Sequence, residues 1–452
     1  MVNFIPYDRN QAFLMPPDLR DWIGEDDLAH FIIAAVERVD IGTFKVNWRG
    51  HGKAQYHPRM MLALLIYCYA NGIFSSRRIE RATHRDVAVR FIAADTHPDH
   101  DTIATFRREN LAAFTAAFGH VLELARALKL LTLGMVSIDG TKLDANASRI
   151  KSVRYDRAQA LRAQLAEDIA TLTAKAEAAD VEDAADGQAL PKEITRREVL
   201  KAKLDEACAR LEAEAAARAE DGQAEYEERL AAWEARKGAG RKPRAPGDAP
   251  PPDRQGNLTD PDSQLMRKST RHEFRQAYNA QAVVDADGSQ LVLTTNVART
   301  PGDTPTFEET IVTLCETFGR PETVLGDAGY ASGDAVGALE ARGIEVLVSI
   351  SRPDNERIYD FRPPRPDAKP GAKPPGEPKA GWRIAMKEKL NTEAAKAKYK
   401  RRKCTVEPVF GIIKNVLGFT RFSLRGLENV KLEWLLVTLA YNCKRLCNLK
   451  AA

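Results

Sequence analysis

Val136-Ser137-Ile138-Asp139-Gly140 and Val324-Leu325-Gly326-Asp327-Ala328-Gly329-Tyr330 are two apolar, strand-like runs that each end on an aspartate. A third stretch, Tyr399-Lys400-Arg401-Arg402-Lys403-Cys404-Thr405-Val406-Glu407-Pro408-Val409-Phe410-Gly411-Ile412-Ile413-Lys414, places a glutamate on a strongly basic helix. Taken singly, each has a plain structural reading. An Asp beside Gly after an apolar run is a turn residue that tolerates left-handed backbone, and a helical glutamate pairs with a nearby lysine. Taken together, three carboxylates that converge can hold a pair of Mg²⁺ ions, because hard cations want oxygen ligands. Two metals about 3.5–4 Å apart stabilise both the attacking and the leaving oxygen of a phosphodiester displacement. The cations flanking Glu407 would offset the charge of a nucleic acid.

Strand-end Asp, strand-end Asp and late-helix Glu follow the order of an RNase H-like α/β sheet. On these stretches the chain resembles the bacterial insertion-sequence transposases of the DDE class, in the branch with a Tyr-Arg-Glu-Lys signature. The resemblance implies that Asp139, Asp327 and Glu407 are the catalytic, metal-binding triad. It implies Mg²⁺ or Mn²⁺ as cofactor, as two ions, and double-stranded DNA (terminal repeats and target) as partner, bound by a homodimer. Tyr399, Arg402 and Lys414 would be the signature positions, with Tyr and Lys on the terminal phosphates; packing of Tyr399 against the sheet is the alternative. Two residues separate Tyr399 from Arg402 and six separate Glu407 from Lys414, as in the family, but four rather than three separate Arg402 from Glu407. Either the helix is offset by one residue or Lys403 takes the arginine's place. The expected chemistry is hydrolysis at the transposon end, then attack of the freed 3′-hydroxyl on target DNA. A nuclease without strand transfer would share the triad, and a non-catalytic DNA-binding descendant would have lost it.

The 452 residues leave room for two or three domains with a real core. No window holds 18 uninterrupted apolar residues, and Met1 to Arg20 carries charges and prolines instead of a signal sequence. The expectation is a cytoplasmic protein without a membrane partner, nucleoid-associated when bound. Six scattered cysteines suit a reducing compartment. Cys443 and Cys447 lie one helical turn apart with no further ligand pair, which reads as buried or half-buried thiols rather than zinc. The net charge of +4 conceals a division: residues 155–237 hold 20 acidic against 13 basic side chains, and residues 381–452 hold 16 basic against 5 acidic. A basic surface of the second kind grips phosphate backbone without reading sequence, and Lys400, Arg401, Arg402 and Lys403 are its centre.

Residues 1–130 read as a helical DNA-binding domain. Apolar residues crowd nearly every face of Pro58–Tyr69, as in a buried helix. A basic helix with Arg77 and Arg78 follows, then a helix over Asp101–Arg108 with Asp101 as N-cap and Arg107 and Arg108 on its outer side. Helices so spaced can form a helix-turn-helix-like unit. His97-Pro98-Asp99-His100-Asp101 reads as a turn ending in a cap, not as a metal site.

The RNase H-like domain is expected over 134–154 and 257–452, split by a helical hairpin and linker over 155–256. Leu161, Leu165, Ile169 and Leu172, then Leu200, Leu204, Cys208 and Leu211, recur at coiled-coil-like spacing, with Asp186-Gly187 and Leu190-Pro191 between them. The acidic charge argues against DNA along this hairpin and leaves a dimer contact or a spacer. Tyr278–Asp285 and Gln290–Val297 flank an Asp-Gly turn as a β-hairpin. Helices near 304–318 and 332–342, strands ending at Asp327 and Ile350, and a terminal amphipathic helix from Glu428 complete the reading. The proline-dense 352–380 reads as a loop beside the active site.

Overall fold

The computed structural model describes residues 18–47, 54–182, 190–236, 240–267, 272–350 and 380–451. The loop expected over 352–380 (apart from Ala380), the Asp186-Gly187 turn and the first 17 residues lie outside the described residues.

Helices come first: α1 (Leu28–Val36), α2 (Pro58–Ala70), α3 (Ser76–Arg85), α4 (Val87–Ile92), α5 (His100–Glu109) and α6 (Leu111–Ala127). α2 opens with proline in its first turn, where no N–H is needed, and Met61 through Ala70 are all buried. α5 starts earlier than the sequence suggested. Its cap is Asp99 rather than Asp101, with Asp99 Oδ1 accepting from the Thr102 N–H at 2.8 Å. His97 Nδ1 lies 3.1 Å from Thr83 Oγ1, and His100 Nδ1 lies 2.9 Å from Glu80, so both rings tie turn to helix.

The remainder runs β1 (Met135–Asp144), β2 (Ser152–Arg154), α7 (Tyr155–Glu182), α8 (Leu190–Ala235), β3 (Gln255–Asn257), β4 (Gln264–Met266), β5 (Arg275–Asp285), β6 (Val292–Ala298), α9 (Phe307–Thr317), β7 (Thr323–Gly326), α10 (Gly333–Ala341), β8 (Glu345–Val348), α11 (Gly381–Asn391), α12 (Glu393–Gly411) and α13 (Leu427–Ala451). Among the described residues no helix is long and apolar enough to cross a membrane.

The chain divides into two compact units. The first comprises residues 1–143, 279–424 and 428–452. Its sheet runs β6-β5-β1-β7-β8. β7 pairs parallel with β1 and with β8, while β6 returns antiparallel along β5. The Ala286 N–H donates to Met135 O at 2.8 Å, and the Asp287 carboxylate receives the Met135 N–H at 2.7 Å, so the hairpin turn fixes the start of β1. This mixed order is the RNase H-like one, and helices precede it as expected. The sequence predicts an amphipathic α13. In fact Val430, Glu433, Trp434, Val437, Tyr441 and Cys443 are buried with Leu432, Leu436, Leu439 and Leu446, which leaves it few wet faces. Asn442 brackets Val292 with two hydrogen bonds (2.8 and 2.7 Å), and the Trp434 indole donates to Gln281 O at 2.8 Å, pinning α13 across β5 and β6.

The second unit comprises residues 144–278 and 425–427. α7 and α8 form an antiparallel hairpin, shown by ion pairs Arg162–Asp205 (2.5 Å) and Arg197–Asp168 (3.6 Å). Their seam holds Ala158, Leu165, Leu204 and Cys208, with Val153 of β2 and the half-buried Leu258 closing one end. Leu200, expected in the seam, faces outward.

Candidate active site

Three elements carry the three expected carboxylates. β1 and β7 are adjacent parallel strands, with Ser137 opposite Leu325, so Asp139 and Asp327 follow at the same end of the sheet. Parallel pairing makes this automatic, since carboxyl ends of neighbouring strands coincide. Asp327 caps a short turn and accepts the Gly329 N–H at 2.7 Å. Asp139 accepts the N–H of Gly140 at 2.8 Å. Burial first, and then the negative charge of Asp327, push the Asp139 carboxyl up to about 7.

α12 delivers the third group, and its shape follows from Pro408. Proline has no N–H to give the carbonyl four residues back. That carbonyl, Cys404 O, is taken instead by the Gln290 side-chain amide at 2.9 Å. The helix then widens into a π turn over Ile412–Val416, a feature often found beside functional sites. Lys414 sits in that turn and donates to Thr141 Oγ1, with Lys142 O at 3.4 Å, which ties the turn to β1.

Arg402 links two of the expected ligands. Its guanidinium lies 3.8 Å from Asp139 and 3.5 Å from Glu407, and its side chain is only 13% exposed. Lys403 is exposed. Of the two alternatives left by the unusual spacing, the geometry therefore puts Arg402 beside the glutamate. Glu407 itself is 53% exposed.

Other expected positions sort by environment. Lys400, Lys403, Arg77, Arg78 and Arg108 are exposed. Arg401 reaches Ala286 O and Asp287, both at 3.3 Å, fastening α12 to the hairpin turn. Tyr399, expected on phosphate, packs instead against Ala286, Leu325, Leu347 and Ala395, and its hydroxyl donates to Gly326 O at 3.0 Å. Arg107 is corrected outright. It is 5% exposed and donates to Tyr69 Oη (2.8 Å) and Phe74 O (3.0 Å), with the buried Glu433 beside Tyr69. Arg107 stands four residues after the buried Ile103, hence on the inward face of α5. Glu433 in turn accepts the N–H groups of Ser423 and Leu424 at 2.9 and 3.0 Å.

A fourth carboxylate was missed. Asp303, between β6 and α9, raises the Asp139 pKa as Asp327 does. Gly140 is glycine for this reason: a Cβ there would meet Asp303 Oδ1 at 2.5 Å and Asn279 Oδ1 at 2.8 Å. Gly329 is likewise forced, its Cβ position lying 2.8 Å from Asp303 Oδ2 and 2.9 Å from Asp327 Oδ1. Those two glycines, with the polar Asn279 and Gln281 spaced two apart on one face of the buried strand β5, are the sequence signal that could have found it.

The donor chemistry fits a hard divalent cation. All candidate ligands are carboxylates, two of them crowd each other, and the buried Asn279 Oδ1 has no hydrogen-bond partner. As the side chains lie, no three such groups among the described residues close on one ion.

Residues 253–443 match the family described as transposase DDE domain, and residues 17–109 match the family described as transposase domain (DUF772). The first span takes in Asp303, Asp327, Glu407 and Lys414; Asp139 lies between the two. No curated protein and no solved structure matches the chain.

Proposed function

Since the chain belongs to the insertion-sequence transposases of the DDE class, we propose that it cuts transposon ends and joins them to target DNA, with Asp139, Asp327 and Glu407 as the ligands of two Mg²⁺ or Mn²⁺ ions. The observation that carries this reading is the meeting of Asp139 and Asp327 at one sheet end, with Arg402 joining Asp139 to Glu407. The cations, when bound, stabilise charge on the attacking and leaving oxygens of the phosphodiester.

The chain's own groups do the rest. Asp139 and Asp327, fixed by Gly140 and Gly329 N–H bonds, present hard oxygens in a set geometry. Arg402 holds Glu407 near them and offsets surplus negative charge before DNA arrives. Lys400 and Lys403, exposed on α12, grip the backbone of the strand being cut. Lys414, anchored at Thr141, marks where the terminal phosphate passes beside β1. Arg77, Arg78 and Arg108 extend the phosphate-binding surface on the N-terminal helices, and two copies of the chain engage the two ends. Water is the first nucleophile and breaks the bond that frees a 3′-hydroxyl. That hydroxyl is the second, displacing the 3′ oxygen of a target phosphodiester. Neither step uses a covalent bond to protein.

The test incubates the full chain with Mg²⁺ and DNA carrying the ends that flank its own gene, followed by sequencing of the junctions. Joined products are expected. Asp139→Asn, Asp327→Asn and Glu407→Gln should each lower cleavage by about a thousandfold or more, since each removes a charge that acts in the transition state. DNA affinity should change by less than about threefold, because the phosphate grip is elsewhere. Full cleavage by any one variant removes that residue from the site, and cut but unjoined ends would make the protein a nuclease.

A further inference from the structure

Asp303 stands in a loop composed for turning, Pro301-Gly302-Asp303-Thr304-Pro305, yet its carboxylate is held in place by β5. Oδ1 accepts the side-chain amides of Asn279 (2.7 Å) and Gln281 (3.3 Å), both from β5. Thr306 Oγ1 donates to Gln281 Oε1 at 2.7 Å, and Thr304 Oγ1 donates to Gly329 O at 2.7 Å, so the loop is stitched to β5 and to the Asp327 turn. Oδ2 accepts no hydrogen bond from any described residue, and it lies on the side of Gly329 and Asp327. The anchored oxygen lies beside Gly140, next to Asp139, while the other lies beside Asp327.

Two buried polar groups aim into the same place. The Tyr330 side chain is fully buried, its hydroxyl has no partner, and the charges it feels are those of Asp303, Asp139 and Asp327. Asn279 is 1% exposed, and its Oδ1 is equally unpartnered beside Gly140. Buried polar atoms without partners cost about 1–3 kcal/mol each, and native chains retain them where something else completes the set. Here that set is a cluster of like charges, which only a cation draws together.

We propose that Asp303 is a fourth carboxylate ligand of this site, holding a divalent cation together with Asp139 and Asp327. As they lie the three carboxylates do not close on one ion, so binding requires their side chains to turn towards it, with Asp303 keeping Oδ1 on Asn279. This rests on the reading of Asp139 and Asp327 as metal ligands, and the experiment separates the two. Free Mn²⁺ is measured by electron paramagnetic resonance during titration of the full chain, without DNA, for wild type, Asp327→Asn and Asp303→Asn. The asparagine keeps an oxygen for the Asn279 and Gln281 amides, and circular dichroism melting checks the fold; Asp303→Ser is the second variant should the first not fold. Both variants are expected to weaken the tightest Mn²⁺ binding at least tenfold. If Asp327→Asn weakens it and Asp303→Asn stays within twofold of wild type, Asp303 only holds its loop and the inference is overturned. If neither variant moves Mn²⁺ affinity, the metal-site reading falls, and the inference with it.

Discussion

Arg107 shows how a single side chain reverses its meaning with its surroundings. Its charge invited a place on DNA, but the i to i+4 step from Ile103 turns it inward to Tyr69, Phe74 and the buried Glu433. Burial raises the Glu433 pKa, and the Arg107 charge works against that shift. Arg107→Ala therefore removes two hydrogen bonds from a charged, buried donor and takes away the cation nearest Glu433, a loss of about 1.5–3 kcal/mol. Denaturant unfolding should register that loss, while DNA affinity of the remaining folded fraction should not fall; a stable variant with weak DNA binding would restore the original reading. Asp139 and Asp327 were legible because an acid closing an apolar run, next to glycine, violates the pattern of a buried strand. Asp303 was illegible because proline and glycine around it are what any turn contains. Its meaning resides in Asn279, Gly140 and Gly329, which are remote in sequence.

At the level of the element, α12 is a basic helix whose cations serve different ends. Lys398 pairs with Glu345 at 2.6 Å and Arg401 reaches Asp287, which fastens the helix to the sheet, whereas Lys400 and Lys403 are exposed. Changing Lys400 and Lys403 together to Gln should weaken binding to every DNA sequence alike. It should also flatten the salt dependence of the binding constant by about 0.9 per lost contact. An unchanged slope in salt titrations would move the DNA path to the N-terminal helices. The Pro408 break offers a second test. Gln290→Ala removes the donor to Cys404 O and should cost about 1 kcal/mol. In a Pro408→Ala background a backbone N–H becomes available to that carbonyl, so the same change should cost nearly nothing. A double-mutant cycle by chemical denaturation gives the coupling directly, and additive effects would deny it. The helix and its charge were plain in the sequence, but the π turn was not. Nothing in the residue types of Ile412–Val416 marks them off from ordinary helix.

The molecule as a whole is a sheet interrupted by a self-contained hairpin. Composition announced the insertion through its leucine spacing and acidic balance, yet spacing alone put Leu200 in a seam that it leaves. Because the apolar seam of α7 and α8 closes within its own unit, replacing residues 156–237 by a short Gly-Ser linker should leave a soluble chain that still binds DNA. Light scattering would report a monomer if the hairpin is a dimer contact, and aggregation would show that it belongs to the main core. The interruption also orders events in time. β1 leaves the ribosome well before β5 and β7, the strands that flank it in the sheet. At about 5–20 residues per second, translation separates Asp139 from Asp327 by on the order of ten to forty seconds. Until β5 emerges β1 has two open edges, and until β7 follows it has one, the state in which nascent chains need a chaperone. The acidic residues stay scattered until synthesis has passed Glu407, so no nascent chain can close its site on DNA before then.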